Sequence, residues 1–452
     1  MSRRIHIKAI AVLAAAFLSA ASSAALAAES IKLEAGADTP LVSAGGARRV
    51  IVRALLRPER TERMKRSPLA VALVIDKSGS MASDRKMENA RLGALEAIRS
   101  LDDRDVAVVV VYDDEASVLL PPTNPTFDDE FRRKISKISP GGSTALYDGV
   151  KTGAAQLRPF TGEGYIPRII LLSDGIANVG PSSTRELASL GRTLSGQETT
   201  ITTIGLGLDY NEDLMTALAA ESGGNSYFAR TAETLPDIFA RDMKDALRLT
   251  ARRTRVTLTC TDEATPIRVL GRSGERRGQT METSIGNLYS SEKYALFEIE
   301  VPERGDGSLF HAATVRVEYV DSRTGMSIST ETPVELAFTD DAMKAEKNRS
   351  TEIIAQTALA RNAEIRDEVV RLSDEGRVKE ASKLLKSRAP YMRKIASLAP
   401  SEAPEMNAEA DSFDSLAQEL EEAGEMSSEQ RKKTVNDSYI QKNQQSDVND
   451  VE

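Results

Sequence analysis

The chain has one cysteine, two histidines and no tryptophan among its 452 residues, and aromatic residues make up 4% of it. A lone cysteine, Cys260, rules out an intramolecular disulfide and any cysteine-built metal cluster. On the alternating segment Val256, Leu258, Cys260 it reads as a small buried apolar residue, and it lies too far along the chain to be a lipid-modified N-terminal cysteine. The histidines are His6 and His311, too few for His-based acid–base or triad chemistry. Long hydrophobic runs are scarce as well. The stretch Ala9 to Leu18 is too short to span a bilayer, and no later stretch approaches the needed length.

That apolar stretch follows Arg3, Arg4 and Lys8 and precedes Ala25-Leu26-Ala27, the layout of a secretory signal peptide. Residues 1–27 are therefore expected to be removed, leaving an exported, soluble chain in the periplasm or outside the cell with no transmembrane segment. Cleavage takes away three positive charges and no negative one, so the net charge of −9 becomes −12. So acidic a chain is a poor partner for nucleic acid. The mature length, about 425 residues, allows two or three domains.

From Leu69 to Arg248 apolar strand candidates alternate with helical stretches, the pattern of an α/β, doubly wound, mainly parallel sheet with helices on both faces. Leu69 to Ile75 is a continuous apolar run, as a central strand buried on both faces requires. Lys86 to Leu101 has helical spacing, Val106 to Tyr112 is a second central strand, and Ala116 to Leu120 is a short edge strand. Helices are predicted over 127–138 and Ala145 to Leu157, a buried strand over Ile169 to Leu172, and further alternation to Leu249. On both flanks the period changes to two. Ile31 to Glu34 and Arg49 to Leu55 on one side, and Val256 to Cys260, Tyr294 to Val301, Ala313 to Val320 and Met326 to Phe338 on the other, predict one β-sandwich interrupted by the α/β domain. Beyond Thr339, two apolar faces (Ile354, Ala358, Ile365, Val369, Leu372, then Val378, Ala381, Leu385, Met392, Ile395) separated by Gly376 predict a helical hairpin. The expected divisions are 28–65 for the first sandwich strands, 66–248 for the α/β domain, 249–340 for the rest of the sandwich, and 341–399 for the hairpin. A linker, a short helix and a mobile tail are expected over 400–452.

Three separated segments place oxygen side chains where buried strands should end. They are Asp76-Lys77-Ser78-Gly79-Ser80, Thr144 after Gly141-Gly142-Ser143, and Asp174 in Leu171-Leu172-Ser173-Asp174-Gly175. Ligands on such sheets bind beyond the carboxyl ends of the strands, and oxygen-only ligands select a hard divalent ion, Mg²⁺ before others. The arrangement resembles the metal-ion-dependent adhesion site of von Willebrand factor A-type domains, Asp-X-Ser-X-Ser with a distant Thr and a distant Asp, over roughly residues 66–248. The resemblance implies that Ser78, Ser80 and Thr144 bind the ion directly. Asp76 and Asp174 would bind it directly or through water, and a partner's carboxylate would complete the shell. Mn²⁺ or Ca²⁺ are alternatives to Mg²⁺. It is strongest to exported bacterial proteins with this domain, in Leu171 to Gly180 especially. Asn178 fits the frequent form of the family's last metal loop and is read first as a local turn stabiliser. Asp113-Asp114-Glu115 is read as a solvated turn rather than a second metal site.

The resemblance implies an exported, metal-dependent protein–protein interaction or adhesion module, with a bound Mg²⁺ docking an Asp or Glu of a partner protein. An alternative is a structural or assembly subunit of an envelope complex. A Mg²⁺-dependent hydrolase is disfavoured, because no nucleophile or general base is evident beside Asp76 and Asp174. The expectation is a protein that is not an enzyme.

Overall fold

A computed structural model describes residues 30–45, 48–59, 66–126 and 128–445. The expected signal peptide, the start of a helix at residue 127, and the expected tail beyond residue 445 lie outside the described residues.

The chain opens with strands β1 (Ile31–Ala37), β2 (Leu41–Ser43) and β3 (Arg48–Pro58). The α/β part follows, with β4 (Leu69–Asp76), α1 (Lys86–Arg99), β5 (Val106–Tyr112), β6 (Ala116–Thr123), α2 (Asp128–Ile135), α3 (Leu146–Leu157), β7 (Ile166–Ser173), α4 (Thr184–Gly196), β8 (Thr200–Leu206), α5 (Glu212–Ser222), β9 (Ser226–Ala229) and α6 (Leu235–Ala246). Its sheet has the order β6-β5-β4-β7-β8-β9, parallel throughout except for the antiparallel edge strand β6. Every residue of β4, β7 and β8 is buried, because helices cover both faces and no solvent face remains for polar side chains. One face packs on α1, α2 and α6, with Phe131 and Phe239 in its core, and the other on α3, α4 and α5.

The second β region comprises β10 (Ala251–Cys260), β11 (Thr265–Leu270), β12 (Glu275–Arg277), β13 (Thr280–Leu288), β14 (Lys293–Val301), β15 (Leu309–Asp321) and β16 (Ser327–Thr339). Two sheets form, ordered β1-β3-β14-β11 and β12-β13-β10-β15-β16-β2, and their inner faces share one apolar core containing Val52, Leu56, Phe297, Val315 and Cys260. Strands from both sides of the α/β part thus pair directly, with Leu55 opposite Tyr294. β3 is an inner strand, flanked by β1 and β14. Deleting residues 30–59 should therefore strip β14 of one of its two neighbours and remove Ile31, Val42, Val50, Val52, Ala54 and Leu56 from the sandwich core. Hydrogen exchange is expected to rise throughout 251–339 and to change little in β4, β5 and β7; unchanged exchange over 251–339 would contradict the shared sandwich.

Helices complete the chain: α7 (Ala342–Lys347), α8 (Thr351–Asp374), α9 (Val378–Leu398), α10 (Ala403–Ala423) and α11 (Ser428–Asn443). Here the structure corrects the expectation of a linker, a short helix and a mobile tail from residue 400. α10 is 21 residues long and buries Met406, Ala410, Phe413, Ala417 and Leu420 along one face against α9. Pro404 lies in its first turn, where a missing N–H costs nothing. α11 packs on α8 and returns to the α/β part. Lys432 donates to the Tyr210 carbonyl and Glu212, Arg431 pairs with Asp213 and Asp374, and the Tyr439 hydroxyl donates to the Gly224 carbonyl. Among the described residues no helix is long and apolar enough to cross a membrane.

Candidate metal centre

β4 and β7 are adjacent parallel strands, so their carboxyl ends bring Asp76 and the Ser173-Asp174 pair to the same rim. Asp76 is fully buried. Its Oδ1 accepts from the Ser78 backbone N–H at 2.8 Å and its Oδ2 from the Ser173 hydroxyl at 2.8 Å. The first of these bonds folds the chain back after β4, and the Ser78 and Ser80 hydroxyls come within 3.0 Å of each other. Ser80 Oγ donates to Asp174 Oδ1 at 2.6 Å.

The third segment is tied in through its backbone. Gly141 N–H donates to the Lys77 carbonyl at 2.7 Å, Gly79 N–H to the Gly142 carbonyl at 3.0 Å, and Ala145 N–H to the Asp113 carbonyl at 2.7 Å. Gly142 has φ +79°, and a Cβ there would meet Asp114 Oδ2 at 2.7 Å, so both conformation and space restrict this position to glycine. The acidic turn 113–115 is a brace for this loop: Asp113 pairs with Lys77, and Asp114 Oδ1 accepts from Ser143 N–H at 3.0 Å. Asn178 does more than stabilise its own turn. Its Oδ1 accepts from Thr144 N–H at 2.8 Å, and its N–H donates to the Thr144 carbonyl at 3.2 Å, joining the second and third segments.

The structure thus gathers Asp76, Ser78, Ser80, Thr144 and Asp174 at one edge of the sheet. Thr144 Oγ1 and Ser80 Oγ lie 3.4 Å and 3.5 Å from the place a Gly175 Cβ would occupy. Thr144 is buried, and its backbone is held in place by Asn178. Neighbouring oxygens of an octahedral Mg²⁺ shell stand about 3 Å apart, close to the Ser78–Ser80 separation. The residues present fit a hard divalent ion: two carboxylates and three hydroxyls gathered at one edge of the sheet. Among the described residues there is no alternative cluster of three His, Cys, Asp or Glu side chains suited to a metal.

Burial pushes the Asp76 carboxyl up to about 6, hydrogen bonds from Ser78 oppose the rise, and the Asp174 charge adds to it. Two side chains to which the sequence reading gave no part in the site complete the surroundings. Tyr112 is buried beneath the site and donates to the Leu172 carbonyl at 2.8 Å. Lys86 reaches Asp174 Oδ2 at 2.7 Å, with its side chain 10% exposed. Asp84 and Arg85, both with positive φ (51° and 54°), set the direction in which α1 starts and bring this lysine inward. A fixed ammonium so near opposes a second cation. Replacing Lys86 by methionine is expected to raise affinity for Mg²⁺ about tenfold, roughly 1.4 kcal/mol, in a calorimetric titration; weaker binding would show that Lys86 is needed to hold Asp174 in place.

Comparison with known proteins finds likenesses that include this edge. Residues 70–241 match the von Willebrand factor type A domain. The chain is 29% identical over 172 residues to an uncharacterised protein of Synechocystis, covering 38% of this chain and 40% of that one. It is 29% identical over 171 residues to human inter-alpha-trypsin inhibitor heavy chain H3, covering 36% of this chain and 19% of the relative. The matched region thus spans less than half of either relative. Among solved structures, a von Willebrand factor type A protein from Catenulispora acidiphila superposes with a TM-score of 0.66 at 17% identity, covering 86% of this chain and 96% of that chain. The ArnB paralog VWA2 of Sulfolobus acidocaldarius gives 0.57 at 16%, covering 92% and 98%. Both likenesses extend over the flanking parts as a shared fold.

Proposed function

Because residues 70–241 form a von Willebrand factor type A domain, a kind that commonly serves metal-dependent protein–protein interaction, we propose that this chain is an exported, non-enzymatic binding module whose partner offers an Asp or Glu side chain to the rim. The observation that carries the proposal is the gathering of the Ser78, Ser80 and Thr144 hydroxyls with the Asp76 and Asp174 carboxylates at one edge of the sheet. Ser78, Ser80 and Thr144 would hold Mg²⁺ directly, with Asp76 and Asp174 supplying its counter-charge. A bound divalent ion supplies a local positive point to which a partner carboxylate can bind.

The chain's own groups prepare that contact. The hydroxyl ligands carry no charge, which leaves the ion's attraction for an outside carboxylate less neutralised than an all-carboxylate site would. Ile176 stands 62% exposed two residues after Asp174, and Leu208 is exposed on the loop after β8. These apolar side chains lie on loops at the same sheet edge and would exclude water from the docked carboxylate, strengthening its attraction well beyond that of a surface ion pair. Export is supported by the basic, apolar and Ala-X-Ala layout of residues 1–27.

Thr144→Ala tests the reading, because it removes one neutral ligand without touching either carboxylate. Capture of a carboxylate-bearing partner protein at saturating Mg²⁺ is expected to weaken about tenfold, within the range for loss of one supporting group, while some metal binding persists. Equal capture by wild type with Mg²⁺ and with chelator would overturn it.

A further inference from the structure

Far from the rim, the α/β part, the sandwich and the C-terminal helices meet around a cavity of about 1150 Å³. Its wall includes the end of α4, the turn between α5 and β9, the start of β10, strand β13, the C-terminal half of α8, and α11. Many charged side chains line it, and nearly all are matched. Glu198 is held by Arg252 and Arg253, Asp374 by Arg431 and Asp367 by Lys442, and the remaining carboxylates of the wall are also ion-paired.

Two cations are the exceptions. Lys293 is 6% exposed and lines the cavity, yet among the described residues its ammonium makes no ion pair and no side-chain hydrogen bond. Its contact is the face of the Tyr289 ring, 5.8 Å from the centroid. Arg272 donates through Nη1 to the Ser284 carbonyl at 3.1 Å, while its Nη2 is buried without a partner. Burial first and the Arg272 charge second push the Lys293 ammonium down to about 7, and burial takes Arg272 down to about 10. Asp245 is close enough to favour the charged lysine, though it makes no ion pair with it. A buried charge without a counter-ion is costly, and two on the lining of one cavity are retained at a loss unless something answers them.

We propose that this cavity binds a small phosphorylated solute or inorganic phosphate, whose oxyanion is received by Lys293 and Arg272. Two cations without an ion pair on the lining of one cavity suit a dianion, which a phosphate group approaches near neutral pH. The planar guanidinium adds a directional fork that an ammonium lacks. The remaining volume has room for an organic body on the phosphate. Because the walls come from all three parts of the chain, such a ligand would tie them together.

The test uses the full chain in chelator, so that phosphate cannot report on the metal centre. Calorimetry and thermal melting are run with inorganic phosphate, with glucose 6-phosphate, and with NaCl at matched ionic strength. Saturable binding of either phosphate, with a rise in melting temperature that NaCl does not reproduce, is expected; tighter binding of the free ion or of the sugar phosphate identifies which source fits. Lys293→Met and Arg272→Gln should each weaken that binding at least tenfold, and Lys293→Met should melt no lower than wild type without anion. Arg272→Gln carries the test by itself should the lysine variant not fold. A wild-type response equal to that in NaCl, or full affinity retained by Arg272→Gln, would overturn the proposal.

Discussion

Asp76→Asn is expected to reduce Mg²⁺ affinity roughly 100-fold or more, beyond the loss typical of a supporting group, while the metal-free protein at pH 7.5 is no less stable than wild type. The asparagine oxygen can still accept from Ser78 N–H, and its amide can donate to Ser173 Oγ, so the fold of the loop survives. What disappears is a buried negative charge beside Asp174. Since folding raises the Asp76 pKa from 3.8 to about 6, the folded state binds the proton more tightly than the unfolded one. Metal-free wild type should therefore gain stability as pH falls from about 6 toward 4, and Asp76→Asn should lack that gain. Calorimetric titration and denaturation at several pH values check both halves. Wild-type Mg²⁺ affinity in the variant would remove Asp76 from the centre.

Asp242→Ala should be the most damaging single change to stability, at about 3–5 kcal/mol. Arg168 lies on the interior strand β7, fully enclosed. Its Nε donates to Asp242 Oδ2 at 2.9 Å, the pair is also bridged at 2.5 Å, and the remaining nitrogens reach Thr202 and Tyr289. Asn225 and Thr202 also donate to Asp242. Removing the carboxylate leaves a guanidinium in the core with no counter-charge, whereas the double variant Arg168→Leu with Asp242→Leu removes both charges and should cost less than Asp242→Ala. Urea denaturation of the three proteins measures the difference. Because Tyr289 belongs to the segment between β13 and β14, the loss should reach the contact between the α/β part and the sandwich.

Much of the frame was legible because strands buried on both faces, such as β4 and β5, read as nearly continuous apolar runs. Val106 to Tyr112 reads as a strand with the bounds it has, and Asp76, Thr144 and Asp174 stand at the strand ends and loop where the chemistry needs them. The sandwich flanks were readable from period-two alternation, though the three-residue strands β2 and β12 and the longer β11 and β13 were missed. Pro266 and a register shift interrupt one pairing, and the polar residues Thr283 and Asn287 sit on buried positions of the other. Lys86 was invisible for a different reason. A lysine in the first turn of a helix normally faces water, and its burial depends on two left-handed residues before it and a carboxylate 88 positions away. α11 carries almost no apolar stripe. It is held by Lys432, Ser438 and Tyr439 through hydrogen bonds to distant segments, and no local periodicity reports such contacts.

The pairing of β3 with β14 also orders events in time. Leu55 waits for Tyr294, about 240 residues later in the chain, and at about 5–20 residues per second synthesis takes roughly 10–50 s to supply it. During that interval β1 and β3 have only each other, and a two-stranded hairpin is marginal in water. The inserted α/β sheet, whose strands lie close together in sequence, can complete itself first. The sandwich is then closed last around an already rigid insertion, so its first strands spend the longest time as an exposed apolar edge.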